Sequence, residues 1–337
     1  MPKVSVLVAV YNAEKTLSRC LDSLLSQSIG EVQIICIDDA STDSSLTILR
    51  QYAATHSCIE VVALDTNHGQ AYARNQGIPL IKSPLTAYLD SDDYMSADAL
   101  EQAFHVFDTH HDTDCVLLDV RYVYDDGREH GYHAPPFDIM TGQEAFVKSL
   151  RWDIHGIYVA RTALYRRFPF DESCRSYSDD NVTMAHYLHS REVRCCTGRY
   201  FFVQHEDSCT HQPTVTRFDW LLANMSMHRQ LLQWNMPLDI INIYEEQRWY
   251  VLLNCFWFYH RNKHIFSSKE RTHALHILHK AWQDIDTSSC LPANIRWKPG
   301  YMPIKWSWTI FQLQEWMLYL IRKLRGMGDG RNNLQEP

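Results

Sequence analysis

Several familiar signatures are missing from this sequence, and each absence removes a class of function. None of the 10 cysteines forms a CxxC pair, the spacing that structural zinc sites and dithiol redox motifs need. None of the 18 histidines stands in an HExxH pattern. There is no glycine-lysine phosphate loop and no GxGxxG after the first strand-like run, so the two commonest phosphate cradles are absent. No stretch has the length of a membrane span. Trp249 to Tyr259 is rich in apolar residues, but charges follow soon after, as in a buried helix. The chain runs from Met1-Pro2-Lys3 into a strand-like segment with no cleavage site. The expected thiol state is reduced and the expected compartment cytoplasmic. Cys195-Cys196 reads either as two filler thiols of a core or as a vicinal redox pair. A basic excess is missing too: the net charge of -8 argues against general nucleic-acid binding.

What is there is a globular composition: 337 residues, 45% hydrophobic and 21% charged, enough for one large domain with an appended one or for two medium domains. Val4 to Val10 is nearly continuously apolar, as expected of a parallel strand covered on both faces. Leu17, Cys20, Leu21, Leu24 and Leu25 follow at helical spacing. Val32 to Ile37, Ile59 to Leu64 and Leu85 to Leu89 read as further strands. Between them lie a helix entered through the cap-rich Ser41-Thr42-Asp43-Ser44 and another entered through Asn67-His68-Gly69. This alternation predicts an α/β sheet with ligands beyond the carboxyl ends of its strands. A helix is expected over 97–109, a strand over 115–124, and a hairpin turn at Asp125-Asp126-Gly127. From Phe218 onward the pattern becomes helical and rich in Trp and Tyr, which puts a boundary near residue 215.

Polar clusters fall where the strands end: Tyr11-Asn12, Asp38-Asp39, Asn67, and Asp90-Ser91-Asp92-Asp93. Any one alone reads as a turn; four at one sheet edge read as a site. Adjacent carboxylates stay ionised together when a hard cation sits among them, and Mg²⁺ or Mn²⁺ suits oxygen ligands.

In order, the segments "VSVLVAVYNAEKTLSRCLDSLLSQS", "IICIDDASTDSS", "NHGQAYARNQGI" and "YLDSDD" resemble those of family 2 inverting glycosyltransferases with the GT-A fold. The resemblance covers roughly the first two hundred residues as an ordered series. One departure is Ala9, where the family often has Pro. The resemblance implies a mixed α/β sheet flanked by helices over 1–215, with a nucleotide-sugar half (1–95) and an acceptor half (96–215). A helical extension over 216–337 would follow. It implies that Ala9, Tyr11, Asn12 and Glu14 border the nucleotide, and that Asp39 accepts a base imide N–H, which favours uracil or thymine over cytosine. Asn67, Gly69, Arg74 and Asn75 would lie near the diphosphate or sugar. Asp90 and Ser91 would face the ribose or sugar. Asp92, with Asp93, would hold Mn²⁺ or Mg²⁺; the division among the three acids stays open. Asp38 reads as structural.

Downstream, Asp179-Asp180 precedes an apparent helix. Locally the pair reads as a cap. Its place in the series implies that Asp180 is the catalytic base and Asp179 its capping or acceptor-positioning partner. The following loop would bring His205 to the metal or a phosphate and Ser208 to a phosphate. The expected reaction is one inverting displacement, from a nucleotide-sugar, most simply a UDP-sugar, to a hydroxyl of a glycan or lipid-linked acceptor in surface-polysaccharide synthesis. The alternative is a degenerate sugar-nucleotide-binding module. A nucleotidyltransferase lacks its glycine-rich loop here, and a processive synthase lacks its spans and its QxxRW motif.

Over 298–325, Trp306, Ile310, Leu313, Met317, Leu320 and Leu324 repeat at helical spacing, flanked by Lys305, Arg322, Lys323 and Arg325. Such a stripe either packs on its own domain or lies in a membrane interface. The resemblance favours peripheral contact at the inner face of the membrane.

Overall fold

The computed structural model describes residues 1–124, 126–134, 136–204, 213–288, 291, 296–297 and 301–324. Ten strands form one sheet: β1 (Val4–Val10), β2 (Val32–Asp38), β3 (Ile59–Ala63), β4 (Leu85–Tyr88), β5 (Tyr94–Met95), β6 (Thr113–Tyr124), β7 (Glu129–Gly131), β8 (Ile139–Thr141), β9 (Tyr158–Arg161) and β10 (Glu192–Gln204). Their order is β3-β2-β1-β4-β9-β6-β10-β5, with β7 on β6 and β8 on β10. The first four strands run parallel, β1 flanked by β2 and β4. The sheet is mixed because β9 inserts antiparallel between β4 and β6.

The apolar runs explain the parallel half. Val4, Val6, Leu7, Val8 and Val10 are all buried, as are Ile34 to Ile37, so both faces of these strands are covered. Helix α1 (Leu17–Leu25) buries Leu17, Cys20, Leu21 and Leu24, one stripe at i, i+3, i+4 and i+7. Helix α2 (Ser45–Thr55) follows β2 and helix α3 (Gln70–Gly77) follows β3. Gly77 lets α3 lie close on the sheet: a Cβ there would stand 2.7 Å from Leu7 Cδ2 and 2.9 Å from Ile37 Cδ1. Helix α4 (Ala99–Thr109) buries Ala99, Leu100, Ala103 and Phe107. Helices α5 (Gly142–Ser149) and α6 (Thr162–Arg167) follow β8 and β9.

Helix α7 (Ser178–Leu188) is held through His186, which is fully buried. Its Nε2 lies 2.9 Å from the Phe168 carbonyl and its Nδ1 2.7 Å from the Tyr158 hydroxyl. A carbonyl only accepts, so Nε2 carries the proton and Nδ1 accepts from Tyr158. Burial drives the imidazole pKa down to about 3, which keeps it neutral.

The chain divides into two compact units, and the division differs from the expected boundary near residue 215. One takes Met1–Glu172 and resumes at Val182; the other takes Ser173–Asn181 and the described residues beyond 212. The first turn of α7, with Asp179 and Asp180, therefore groups with the second unit. That unit also contains α8 (Asp219–Gln233), α9 (Leu238–Asn262), α10 (Ser268–Asp284) and α11 (Trp308–Leu324). Its core centres on Trp249, Phe256, Leu278 and Phe311. Trp249 to Tyr259 lies inside α9 and is mostly buried, and no helix among the described residues is long and apolar enough to cross a membrane. Cys195 and Cys196 are free thiols on β10.

Candidate active site

The turns after β1 and β2 are sewn together before any ligand arrives. Asn12 adopts a left-handed backbone (φ 51°), a conformation Asn tolerates better than most residues. Its Oδ1 accepts the Thr42 N–H (2.8 Å), and its own N–H donates to Ser41 Oγ (3.1 Å). Glu14 Oε2 accepts the Ser44 N–H (3.0 Å), and Asp43 Oδ1 accepts the Ser45 N–H (2.9 Å). The free amides of α2 are thus capped by two carboxylates, whereas Ser44, the N-cap residue itself, makes no side-chain cap. Tyr11 projects from this knot half exposed, at 50%. Ala9 is the penultimate residue of β1, opposite Ile37.

Asp39 is buried and clamps the turn after β3. Its carboxylate accepts from the Asn67 amide (2.9 Å), the His68 N–H (2.8 Å) and the Gly69 N–H (2.7 Å). Gly69 sits at φ 96°, which only glycine adopts without strain, and it is the N-cap of α3. Three donors to one carboxylate leave about one acceptor direction open, the direction a base imide would need. Asp38 is also buried; its Oδ2 accepts the Ser41 N–H (3.2 Å), while Oδ1 has no partner.

Helix α3 reaches the acidic turn after β4. Arg74 is almost fully buried and pairs with Asp90 Oδ1. Its guanidinium lies 4.2 Å from the ring centre of Tyr88 and 5.1 Å from that of Phe170. Gln70, one turn earlier, donates to the same Asp90 oxygen (2.6 Å). The main chain of the acidic turn is held by α1. Thr16 Oγ1 donates to the Ser91 carbonyl (2.9 Å) and Arg19 to the Asp92 carbonyl (2.7 Å).

Two expected site residues are engaged within the protein. Asn75 was expected near the diphosphate or sugar. Its amide is spent on the 170–172 segment, donating to the Phe170 carbonyl (2.9 Å) and to Glu172 (2.6 Å) and accepting the Phe170 N–H (2.9 Å). Asp93 was expected to share the metal. It is buried and turned inward: Oδ2 accepts from Tyr200 (2.6 Å) and Oδ1 from the Val203 N–H (2.8 Å). Burial, then the charges of Asp90 and Asp92, push its pKa well up. Asp92 alone of the three is exposed, and no hydrogen bond engages its carboxylate among the described residues.

Among the described residues, no group of three or more His, Cys, Asp or Glu could hold a metal ion. One open carboxylate still suits Mg²⁺ or Mn²⁺, which are commonly held by one or two carboxylates plus substrate phosphates. His205 and Ser208 lie outside the described residues.

In the second unit, Asp179 and Asp180 occupy the first turn of α7. Asp180 Oδ2 is buried with no hydrogen-bond partner. Burial, then the Asp179 charge, pushes the Asp180 pKa well up, against the pull of Arg217. Arg217 is a residue the sequence reading missed. It donates to Tyr177 Oη (3.0 Å), and its guanidinium lies 5.0 Å from the ring centre of Trp220 and 6.0 Å from that of Phe258. Its distance in sequence from Asp180 hid the connection. Gln70 was missed as well, although its four-residue spacing from Arg74 puts both on one helix face.

Poly(ribitol-phosphate) beta-glucosyltransferase of Bacillus spizizenii is 29% identical over 197 residues, 57% of this chain and 30% of that protein. Poly(ribitol-phosphate) beta-N-acetylglucosaminyltransferase TarS of Staphylococcus aureus is 28% identical over 208 residues, 60% of this chain and 35% of that protein. The chain thus matches about a third of the length of these relatives. The crystal structure of S. aureus TarS 1-349 in complex with UDP-GlcNAc superposes with a TM-score of 0.73, covering 97% of this chain and 93% of that one at 20% identity. At that identity the likeness establishes the fold. Residues 5–174 match Glycosyl transferase family 2, and the chain belongs to that family.

Proposed function

We propose that this protein transfers a hexosyl or N-acetylhexosaminyl group from a UDP-sugar to a hydroxyl of a surface glycan or lipid-linked acceptor, with inversion at the anomeric carbon. The observation that carries this reading is the joining of all four strand-end turns of the parallel sheet around Asp39, Arg74 and Asp90. The fold neighbour solved with UDP-GlcNAc and the names of the relatives support the donor class.

In this reading Tyr11 offers its exposed ring to the base, and the remaining acceptor direction of Asp39 takes the uracil imide N–H. Arg74 and Gln70 fix Asp90 toward the ribose or sugar. Asp92 would hold Mn²⁺ or Mg²⁺, and the cation would supply positive charge for the leaving diphosphate. Asp180 takes the proton of the attacking hydroxyl. Its unpartnered Oδ2 supports a base over a simple cap, since a capping oxygen accepts a backbone N–H. Its raised pKa makes it a stronger base than an ordinary carboxylate.

The test is UDP release from a panel of UDP-, dTDP-, GDP- and CDP-sugars, with and without Mn²⁺. Metal-dependent release from one UDP-sugar is expected, with Asp180→Asn silent but still binding UDP. Asp92→Asn should lose the metal-dependent part of nucleotide affinity. An Asp180→Asn enzyme that keeps most of its rate removes the base assignment. A folded wild-type protein that binds no UDP points to the degenerate binding module instead.

A further inference from the structure

Helix α11 is mounted with its apolar side outward. The residues it buries are Phe311, Gln314 and Glu315. Phe311 packs on α9, its ring centre 5.5 Å from that of Trp249 and 5.3 Å from that of Phe256. Glu315, the only acid of the helix, points inward, where Oε2 accepts from Trp257 Nε1 (3.2 Å) and Oε1 from Gln314 (3.1 Å). Outward stand Ile310, Leu313, Trp316, Met317, Ile321 and Leu324, between 38% and 86% exposed. Just before the helix, Trp306 is 76% exposed. A helix that only packed on its own unit would show the reverse arrangement. An unbroken apolar stripe of this size on a protein surface marks an interaction site.

The charges indicate what covers it. With Glu315 turned inward, the outer surface of α11 carries no acid, while Arg322 and the exposed Lys323 stand at its end. Arg322 lies 4.6 Å from the ring centre of Trp257. Lys305, expected to flank the stripe, is instead consumed inside the unit, donating to the Ile285 carbonyl (2.6 Å) and to that of Trp282. Residues 209–337 hold 15 Lys and Arg against 10 Asp and Glu, although the whole chain has 32 against 40. The extension is thus positive on an otherwise acidic protein. The same face of a second copy carries no acid to meet Lys323, whereas an anionic bilayer supplies negative charge along the whole stripe. At 17 residues the helix is about 25 Å long and too polar at its edges to cross a bilayer. Lying flat, it can bury the stripe to the depth of the acyl boundary while Trp306 and Trp316 sit among the headgroups.

We infer that α11 docks this protein onto an anionic lipid surface, with the Ile310–Leu324 stripe inserted and Lys323 against the headgroups. The inference stands apart from the donor-site reading. The test is flotation of the full-length chain with vesicles of phosphatidylcholine, with and without phosphatidylglycerol, alongside light scattering of the free protein. Wild type should float with the anionic vesicles. A triple variant, Leu313→Gln with Met317→Gln and Ile321→Gln, should cut the bound fraction at least about tenfold. Lys323→Gln should weaken anionic binding about fivefold and leave neutral vesicles unaffected. All four positions are exposed, so circular dichroism should show an unchanged fold. Failure of the folded wild type to float overturns the inference. So does equal binding to neutral vesicles, or concentration-dependent self-association abolished by the triple variant without vesicle binding.

Discussion

The buried imidazole of His186 makes the first unit acid-sensitive in a calculable way. In the native state its pKa falls from 6.5 to about 3 through burial, the Phe168 and Leu164 backbone bonds offsetting only part of this. The unfolded chain therefore binds the extra proton first as pH drops. A lowered histidine value gives stability that is present above 6.5 and lost as pH falls toward the native value, at about 1.4 kcal/mol per pH unit. Between about pH 8 and about pH 5 this amounts to about 2 kcal/mol. His155, pushed down to about 4 by burial, adds a similar loss. The informative variant is His186→Gln. Its amide can still donate to the Phe168 carbonyl but leaves the Tyr158 hydroxyl without its acceptor, a pH-independent cost of about 1–3 kcal/mol. Groups other than His186 titrate alike in both proteins, so wild type should lose about 2 kcal/mol more than the variant over this range. Native-state hydrogen exchange of the β9 and α7 amides, corrected for intrinsic rates at each pH, reads this locally. Parallel curves for the two proteins would show that His186 is not held neutral by the fold, and the reasoning would fail.

Arg217 opposes the burial of Asp180, so Arg217→Met should raise the Asp180 pKa further. The acidic limb of the kcat/KM profile should move to higher pH, with activity lost near neutrality and recovered in alkali; an unmoved limb would detach Arg217 from the base. Gly77→Ala would press a methyl against Leu7 and Ile37 and should cost about 1–3 kcal/mol of stability. An unchanged denaturation midpoint would show that α3 can lift off the sheet without penalty.

The parallel half of the sheet was legible because its strands are buried on both faces and read as apolar runs: Val4 to Val10 and Val32 to Ile37 need no partner to be recognised. The antiparallel strand β9 was not. Its four residues, Tyr158 to Arg161, carry no alternation, and they are strand only because β4 and β6 hydrogen-bond to them from both sides. The grouping of Ser173–Asn181 with the second unit was equally hidden. No change of composition marks that segment, and its contacts, such as Tyr177 stacked on Trp220 at 5.5 Å, come from far along the chain.

At the site, sequence gives the residue types but not how their bonds are used. Asn75, Asp92 and Asp93 look alike as polar residues in strand-end motifs. Asn75 and Asp93 are engaged by Phe170, Glu172, Tyr200 and Val203, which lie 95 to 110 positions away, whereas no hydrogen bond engages the Asp92 carboxylate among the described residues. Asp180 is the opposite case. A first-turn aspartate reads as a cap, and capping would stabilise the helix. The structure instead leaves one of its oxygens buried and unbonded, and its pKa is raised. That arrangement costs stability wherever the acid is ionised, because the stabilisation of a raised carboxyl is lost as pH climbs through its native value. A fold selected for stability alone would replace this acid with asparagine. An unbonded, desolvated carboxylate is a stronger base than an ordinary one, so the local penalty is consistent with the base role proposed for Asp180.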